Sequence, residues 1–224
     1  MKQPGIPLAT ESQVGKFCRV AEVRRILMSM KAALPGAARG CVAVTSTPPE
    51  EGKTLLVALL SSAVADCEGK RVLALDLNWK SPGLHTLFNV ENGFELDSFL
   101  DGENPGGHVK KTGFDGLDVL TAPTREQLSG RRNLSFLGLS IVEKVREMYD
   151  FVFVDTASLF PTNQNMVDPV VVSTACDGVI MTVMAAVTPR TMVRRAIVNM
   201  EVSGATVLGI VMNQRKNVES SCRF

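Results

Sequence analysis

The chain has 224 residues, 45% of them hydrophobic and 21% charged, with 24 basic against 23 acidic side chains and a formal net charge of +1. That length and balance suit one large α/β domain with a full core. They give no reason to expect general affinity for nucleic acid. The five cysteines, Cys18, Cys41, Cys67, Cys176 and Cys222, are odd in number and lack C-x-x-C spacing, which argues against a zinc site or a disulfide framework and for a reducing compartment. No stretch approaches the ~18 consecutive apolar residues of a membrane span. The start, MKQPGIPLATESQVGK, lacks an apolar h-region. A cytoplasmic location is therefore expected, with any membrane attachment made through a partner.

In chain order, residues 1–18 are polar with two prolines and read as a flexible arm. Residues 19–34 carry Val20, Val23, Ile26, Leu27 and Met30 at helical spacing, and Pro35-Gly36 ends that amphipathic helix. A repeating pattern follows. Strands are expected at 41–46, 71–76, 117–121, 151–155, 177–183 and 205–212, and helices at 53–67, 135–149 and 189–203. Residues 89–116, rich in Gly, Asp and Asn, read as a surface excursion. Several strands are apolar on both faces, as in parallel sheets sandwiched between helices. The expected fold is thus a doubly wound, mostly parallel sheet of six to eight strands with helices on both faces. It occupies 19–216, followed by a short tail, 217–224.

The central motif is TSTPPEEGKT, residues 45–54, between an expected strand and an expected helix. Gly52, Lys53 and Thr54 match the end of G-x-x-x-x-G-K-[ST], and Thr47 stands where the first Gly would be. Gly52 lets the backbone approach a phosphate. Main-chain N–H groups from Glu51 to Leu55, at the start of the helix, favour an anion. Lys53 supplies a positive charge at the β and γ phosphates, and the Thr54 hydroxyl suits Mg²⁺. The side chains of Glu50 and Glu51 would be repelled by polyphosphate and are expected to face solvent.

Two carboxylates end strands: Asp76 and Asp155. In open α/β sheets ligands lie beyond the carboxyl ends of the strands, and an Asp after four apolar residues, as in FVFVD, suits a metal. The competing reading for each is a helix cap or turn residue. Trp79 either covers the site or packs. His85 and His108 lack metal-ligand spacing.

These motifs, in this order, resemble the bacterial tyrosine kinases of capsule and exopolysaccharide export, within the ParA/MinD-like branch of P-loop ATPases. The family loop T-S-x-x-P-G-E-G-K-[ST] corresponds to residues 45–54. The Walker A′ element, D-x-D-x-R-x-P and onward, corresponds to VLALDLNWKSPGLHTLF at 72–88. The Walker B element corresponds to YDFVFVDTAS at 149–158, and the last two strands match from Ala175 to Asn213. The resemblance implies ATP and Mg²⁺ as cofactors, with Asp76 as catalytic base, Asp155 and Thr54 at the metal and Asn213 at the adenine edge. It also implies a membrane-embedded chain-length or export adaptor as partner, placing the protein peripherally at the inner membrane. Self-association would run through the helix bearing Glu22 and Arg25.

The departures are specific. Asn78 replaces the second Walker A′ Asp, Lys80 the Arg, Glu50 the loop Gly, and Ala157 and Ser158 the Walker B prolines. Autophosphorylating members carry a C-terminal tyrosine cluster, whereas this sequence has one tyrosine, Tyr149, so self-phosphorylation of the usual kind is not expected. Three readings remain open. One is an ATPase or phosphotransferase acting on water or on a partner's tyrosine. Another is a turnover-deficient nucleotide-binding module. The third is a positioning ATPase of the ParA/MinD type, against which stands the lack of a lysine early in the loop.

Overall fold

The structure, a computed structural model, describes residues 11–36, 38–102, 105–160 and 166–214. Its strands are β1 (Gly40–Ser46), β2 (Val72–Asp76), β3 (Lys110–Lys111), β4 (Leu117–Leu120), β5 (Phe151–Asp155), β6 (Gly178–Met184) and β7 (Val207–Asn213). They form one seven-stranded sheet in the order β3-β4-β2-β5-β1-β6-β7. The short β3 runs antiparallel to β4 and every other pairing is parallel. The helices are α1 (Glu11–Phe17), α2 (Ala21–Ala33), α3 (Lys53–Glu68), α4 (Leu84–Leu87), α5 (Leu96–Asp101), α6 (Arg125–Leu128), α7 (Leu134–Val145), α8 (Pro169–Ser173) and α9 (Arg190–Val202).

Successive side chains of a strand point to opposite faces, and here both faces are dry. Val42, Val44, Ala74, Phe151 and Phe153 join a core with Leu27 and Met30 of α2 and Val57, Leu60 and Val64 of α3. Ala43, Leu73, Leu75, Val152 and Val154 join a second core with Ile141 and Val142 of α7, Val172 of α8 and Met200 of α9. The doubly apolar strand runs in the sequence arise because each strand serves both layers.

Three details differ from the sequence expectations. Residues 11–17, assigned to the arm, form a helix packed on α3, with Val14 and Cys18 fully buried. One apolar residue per turn is too sparse a stripe to stand out in a polar segment. The excursion contains the two-residue edge strand β3. Helix α7 ends at Val145, before the expected limit. Residues 1–10 and the tail 217–224 lie outside the described residues.

Candidate functional site

Strand β1 delivers the chain to the 47–52 loop at the carboxyl edge of the sheet, and α3 leads away from it. Strands β2 and β5 are adjacent there, with Asp76 and Asp155 directly paired in register. The order of strands reverses around β1, whose neighbours are β5 and β6, which is where open α/β sheets leave a ligand crevice.

Gly52 has φ 88°, in the left-handed region that favours glycine. A Cβ here would lie 2.5 Å from Asn213 Nδ2. The N-cap of α3 is Gly52, which offers no side-chain cap, and the first main-chain bond of the helix runs from the Leu56 N–H to the Gly52 carbonyl at 3.0 Å. The N–H groups of Lys53, Thr54 and Leu55 therefore belong to an uncapped helix start, the arrangement that attracts anions.

Glu50, where the resembled family has glycine, is exposed with φ 63°. A side chain in that conformation costs about 1–2 kcal/mol, offset in part by the greater chain entropy glycine has when unfolded. Glu50→Gly is expected to stabilise the protein by about 0.5–1 kcal/mol, a rise in Tm of ~1–4 °C by calorimetry. An unchanged or lowered Tm would show that the loop holds Glu50 without strain.

Glu51 corrects an expectation. Its side chain does not face solvent but is 1% exposed. Oε1 accepts from the Met184 N–H at 2.8 Å and from the Thr188 hydroxyl. Oε2 accepts from the Thr47 hydroxyl at 3.4 Å. The repulsion anticipated for a polyphosphate does not force this carboxylate outward, because donors at the end of β6 and just after it hold it inside the fold. The Glu51 main-chain carbonyl accepts from Asn213 Nδ2 at 3.3 Å, so the end of β7 is tied to the loop as well.

Lys53 is 6% exposed and its Nζ donates to Ser46 Oγ at 2.9 Å. Burial lowers its pKa, while Asp155 and Glu51 act in the opposite direction. Thr54 donates its hydroxyl to Asp155 Oδ2 at 2.6 Å. Asp155 is fully buried, and its Oδ1 has no hydrogen-bond partner among the described residues. Desolvation first, then the neighbouring Asp76 charge, raise its pKa well above the usual carboxylate range.

Asp76, also fully buried, accepts from the Asn78 N–H at 3.1 Å, the Gly83 N–H at 3.0 Å and the Leu84 N–H at 3.1 Å. Burial raises its pKa against the pull of those three donors. This carboxylate thus organises the turn of residues 77–84 and the start of α4, which fits the cap reading. The turn closes on the site: a Cβ on Gly83 would sit 3.0 Å from Thr54 Cγ2. Trp79 packs in the core and donates Nε1–H to the Asp76 carbonyl at 3.1 Å. Asn78 is half-buried and Lys80 exposed.

The structure therefore gathers Glu51, Gly52, Lys53, Thr54, Asp76, Asn78, Asp155 and Asn213 at one sheet edge, with Leu55 in the first turn of α3. Sequence reasoning missed Ser46, Gly83 and the Glu51 carboxylate. Pro82-Gly83 was a turn signal, whereas nothing local marks Met184 and Thr188 as partners of Glu51.

The donor set fits a magnesium ion. A buried carboxylate with one unpartnered oxygen, beside a second buried carboxylate and a hydroxyl, is the hard-oxygen environment Mg²⁺ selects. Among the described residues no group of three or more His, Cys, Asp or Glu side chains could hold a metal. The rest of such a shell would come from water and phosphate, as Mg²⁺ sites commonly arrange.

No protein-family profile matches the chain. It is 28% identical over 186 residues to the succinoglycan biosynthesis transport protein ExoP of Rhizobium meliloti, a match covering 81% of this chain and 23% of ExoP. It is 27% identical over 180 residues to the tyrosine-protein kinase YwqD of Bacillus subtilis, covering 78% of this chain and 72% of YwqD. The chain thus spans under a quarter of ExoP but most of YwqD. Its fold is similar to the kinase domain of the Escherichia coli tyrosine kinase Etk, with a TM-score of 0.73 and 22% identity over 90% of this chain and 78% of that one. It is also similar to MinD of Pyrococcus horikoshii, solved with Mg-ADP, with a TM-score of 0.64 and 18% identity over 77% of this chain and 69% of that one. The chain is a relative of the bacterial tyrosine kinases of polysaccharide biosynthesis, with the P-loop fold they share with MinD.

Proposed function

We propose that this relative of the bacterial tyrosine kinases binds ATP with Mg²⁺ over residues 19–216 and hydrolyses it or transfers its γ-phosphoryl group to a partner. The observation that carries this reading is the Thr54–Asp155 contact beside the uncapped start of α3, with one buried Asp155 oxygen unpartnered. The main-chain N–H groups from Glu51 to Leu55 hold the phosphates, and Lys53 leaves Ser46 to meet their charge. Thr54 and Asp155 hold the metal, with Asn78 nearby. When bound, Mg²⁺ supplies charge neutralisation at the phosphate oxygens. Asp76, its proton affinity raised by burial, is the base, oriented by three main-chain donors. Asn213 recognises the adenine edge, for which an amide has both a donor and an acceptor.

The acceptor is water or a tyrosine on another protein. Tyr149 is buried and donates its hydroxyl to Asp118 at 2.9 Å. Burial, with the Asp118 charge, raises its pKa, so it is a poor phosphoryl acceptor. The partner is a membrane-embedded polysaccharide chain-length or export adaptor, and it places the protein at the inner face of the membrane. Among the described residues no helix is long and apolar enough to cross one. Copies associate through α2, on which Glu22 and Arg25 are exposed.

A second reading, nucleotide binding without turnover, is favoured by Asn78, since phosphoryl transfer depends on charge placed around the metal. The experiment that separates them is ATP turnover by the unaltered chain beside Lys53→Ala and Asn78→Asp, with ADP and phosphoprotein both followed. Asn78→Asp is expected to raise turnover ~10-fold or more. Turnover of the unaltered chain no higher than that of Lys53→Ala selects the second reading. Failure of the folded protein to bind ATP with Mg²⁺ overturns both.

A further inference from the structure

At the end of β1 opposite the phosphate loop, two cysteines far apart in sequence meet. Cys41 donates its S–H to Cys176 Sγ at 3.5 Å, across a separation of 135 residues, and both are free thiols. The backbone holds them in place. The Cys41 N–H donates to Asp177 Oδ2 at 2.7 Å, and the Asp177 N–H donates to the Cys41 carbonyl at 2.8 Å. Arg146 clamps the same turn, donating to the Ala175 carbonyl at 2.6 Å and to Asp177 Oδ1 at 2.7 Å.

We propose that Cys41 and Cys176 are an oxidisable pair that closes to a reversible disulfide in the folded protein when it meets a hydroperoxide. An S–S bond is about 2.05 Å long, so the sulfurs need approach by only ~1.5 Å, within reach of small side-chain rotations. Access to the pair runs through Cys176, because Cys41 is 2% exposed. Cys176 is half-buried. Cys41 lines an open cleft of about 170 Å³ with Arg39, Arg146, Glu147 and Asp177. The two sulfurs have different roles. Cys41 is buried, its thiol pushed well above its usual value by the hydrogen bond to Cys176 and then by burial, whereas Cys176 is the sulfur an oxidant reaches first, so Cys176 is the attacking partner and Cys41 the resolving one.

In the first step the Cys176 sulfur, as thiolate, attacks one oxygen of the hydroperoxide. The O–O bond breaks and the departing oxygen leaves with a proton, as water when the oxidant is hydrogen peroxide. This gives Cys176 sulfenic acid. In the second step the Cys41 sulfur attacks the Cys176 sulfur. The S–S bond forms, the S–O bond breaks, and the hydroxyl leaves as water with the Cys41 proton. Two thiols are oxidised by two electrons and the hydroperoxide is reduced by two. A small thiol reductant reverses the change by exchange. A transient, redox-sensing disulfide of this kind is compatible with a reducing compartment, and the linear spacing of the cysteines gave no sign of it.

The test uses the full chain carrying Cys67→Ser and Cys222→Ser, which leaves the buried Cys18 as the one thiol outside the pair. After hydrogen peroxide and alkylation of remaining thiols, non-reducing peptide mapping is expected to find Cys41 joined to Cys176. Dithiothreitol should remove the link, and the oxidised protein should melt at least ~4 °C higher. Cys41→Ser in that background should let Cys176 proceed to sulfinic acid. The proposal is overturned if both thiols stay open to alkylation at peroxide levels that oxidise Cys67 in the unaltered chain. It is equally overturned if Cys176 reaches sulfinic acid while Cys41 remains reduced, or if the cross-linked protein melts lower.

Discussion

Asp155→Asn is expected to make the nucleotide-free protein more stable and to abolish the magnesium dependence proposed for it. Asp155 is a buried carboxylate beside another, with one oxygen unpartnered. A buried charged group left without a partner costs at least 1–3 kcal/mol, and asparagine removes the charge while still accepting from Thr54. The gain should be about 1–3 kcal/mol, or ~2–4 °C in Tm for each kcal/mol in a chain of this size.

The pH dependence has a definite sign. The folded carboxyl lies above its unfolded value of about 3.9, so between those two values the folded state binds more protons than the unfolded state. Stability is then present at low pH and lost as pH rises from ~4 through the raised folded value. Asp76, raised in the same direction, contributes alike, so Asp155→Asn flattens this slope without abolishing it. Magnesium-dependent ATP turnover should fall at least ~100-fold, as expected when a group stabilising transferred charge is lost. Urea melts from pH 4 to 8, without nucleotide, measure the first effect. A variant no more stable than the unaltered chain, or one that still needs magnesium for turnover, contradicts this account of Asp155.

Lys53→Ala should show the complementary pattern. The lysine is desolvated, which lowers its pKa, and its ammonium donates to Ser46 Oγ. Its removal costs the apo protein little, a change in stability of at most ~1 kcal/mol. With ATP, however, an ammonium held at phosphate oxygens makes charge-assisted bonds worth about 1.5–3 kcal/mol. Affinity for Mg-ATP should fall ~10- to 100-fold and turnover ~100- to 1,000-fold. Titration calorimetry and an ADP-release assay on the same preparation read both. Intact affinity in a folded Lys53→Ala protein would place the phosphates elsewhere.

Much of this was legible in the sequence because the controlling interactions are local. The doubly apolar runs announced a parallel sheet, and Gly52-Lys53-Thr54 after a strand announced the start of a helix at the sheet's carboxyl edge. Asp76 and Asp155 fell at strand ends because four apolar residues precede each. What could not be read depends on contacts across the fold. Nothing near Glu51 in sequence identifies Met184 and Thr188 as its donors, so an argument from phosphate repulsion sent it to solvent. Val14 of α1 and Cys18 just beyond it are buried only because α3 provides a surface for them. Cys41 and Cys176 are neighbours only because β6 lies beside β1 in the sheet.

The buried Glu51 carboxylate sets a mechanical condition on the phosphate loop. By binding the last residue of β6 and Thr188 ahead of α9, it makes the loop and the root of that helix one unit. A pull on α9 from outside must either drag the loop along or strand a carboxylate away from water, so force applied to the surface of α9 is felt where the triphosphate would lie.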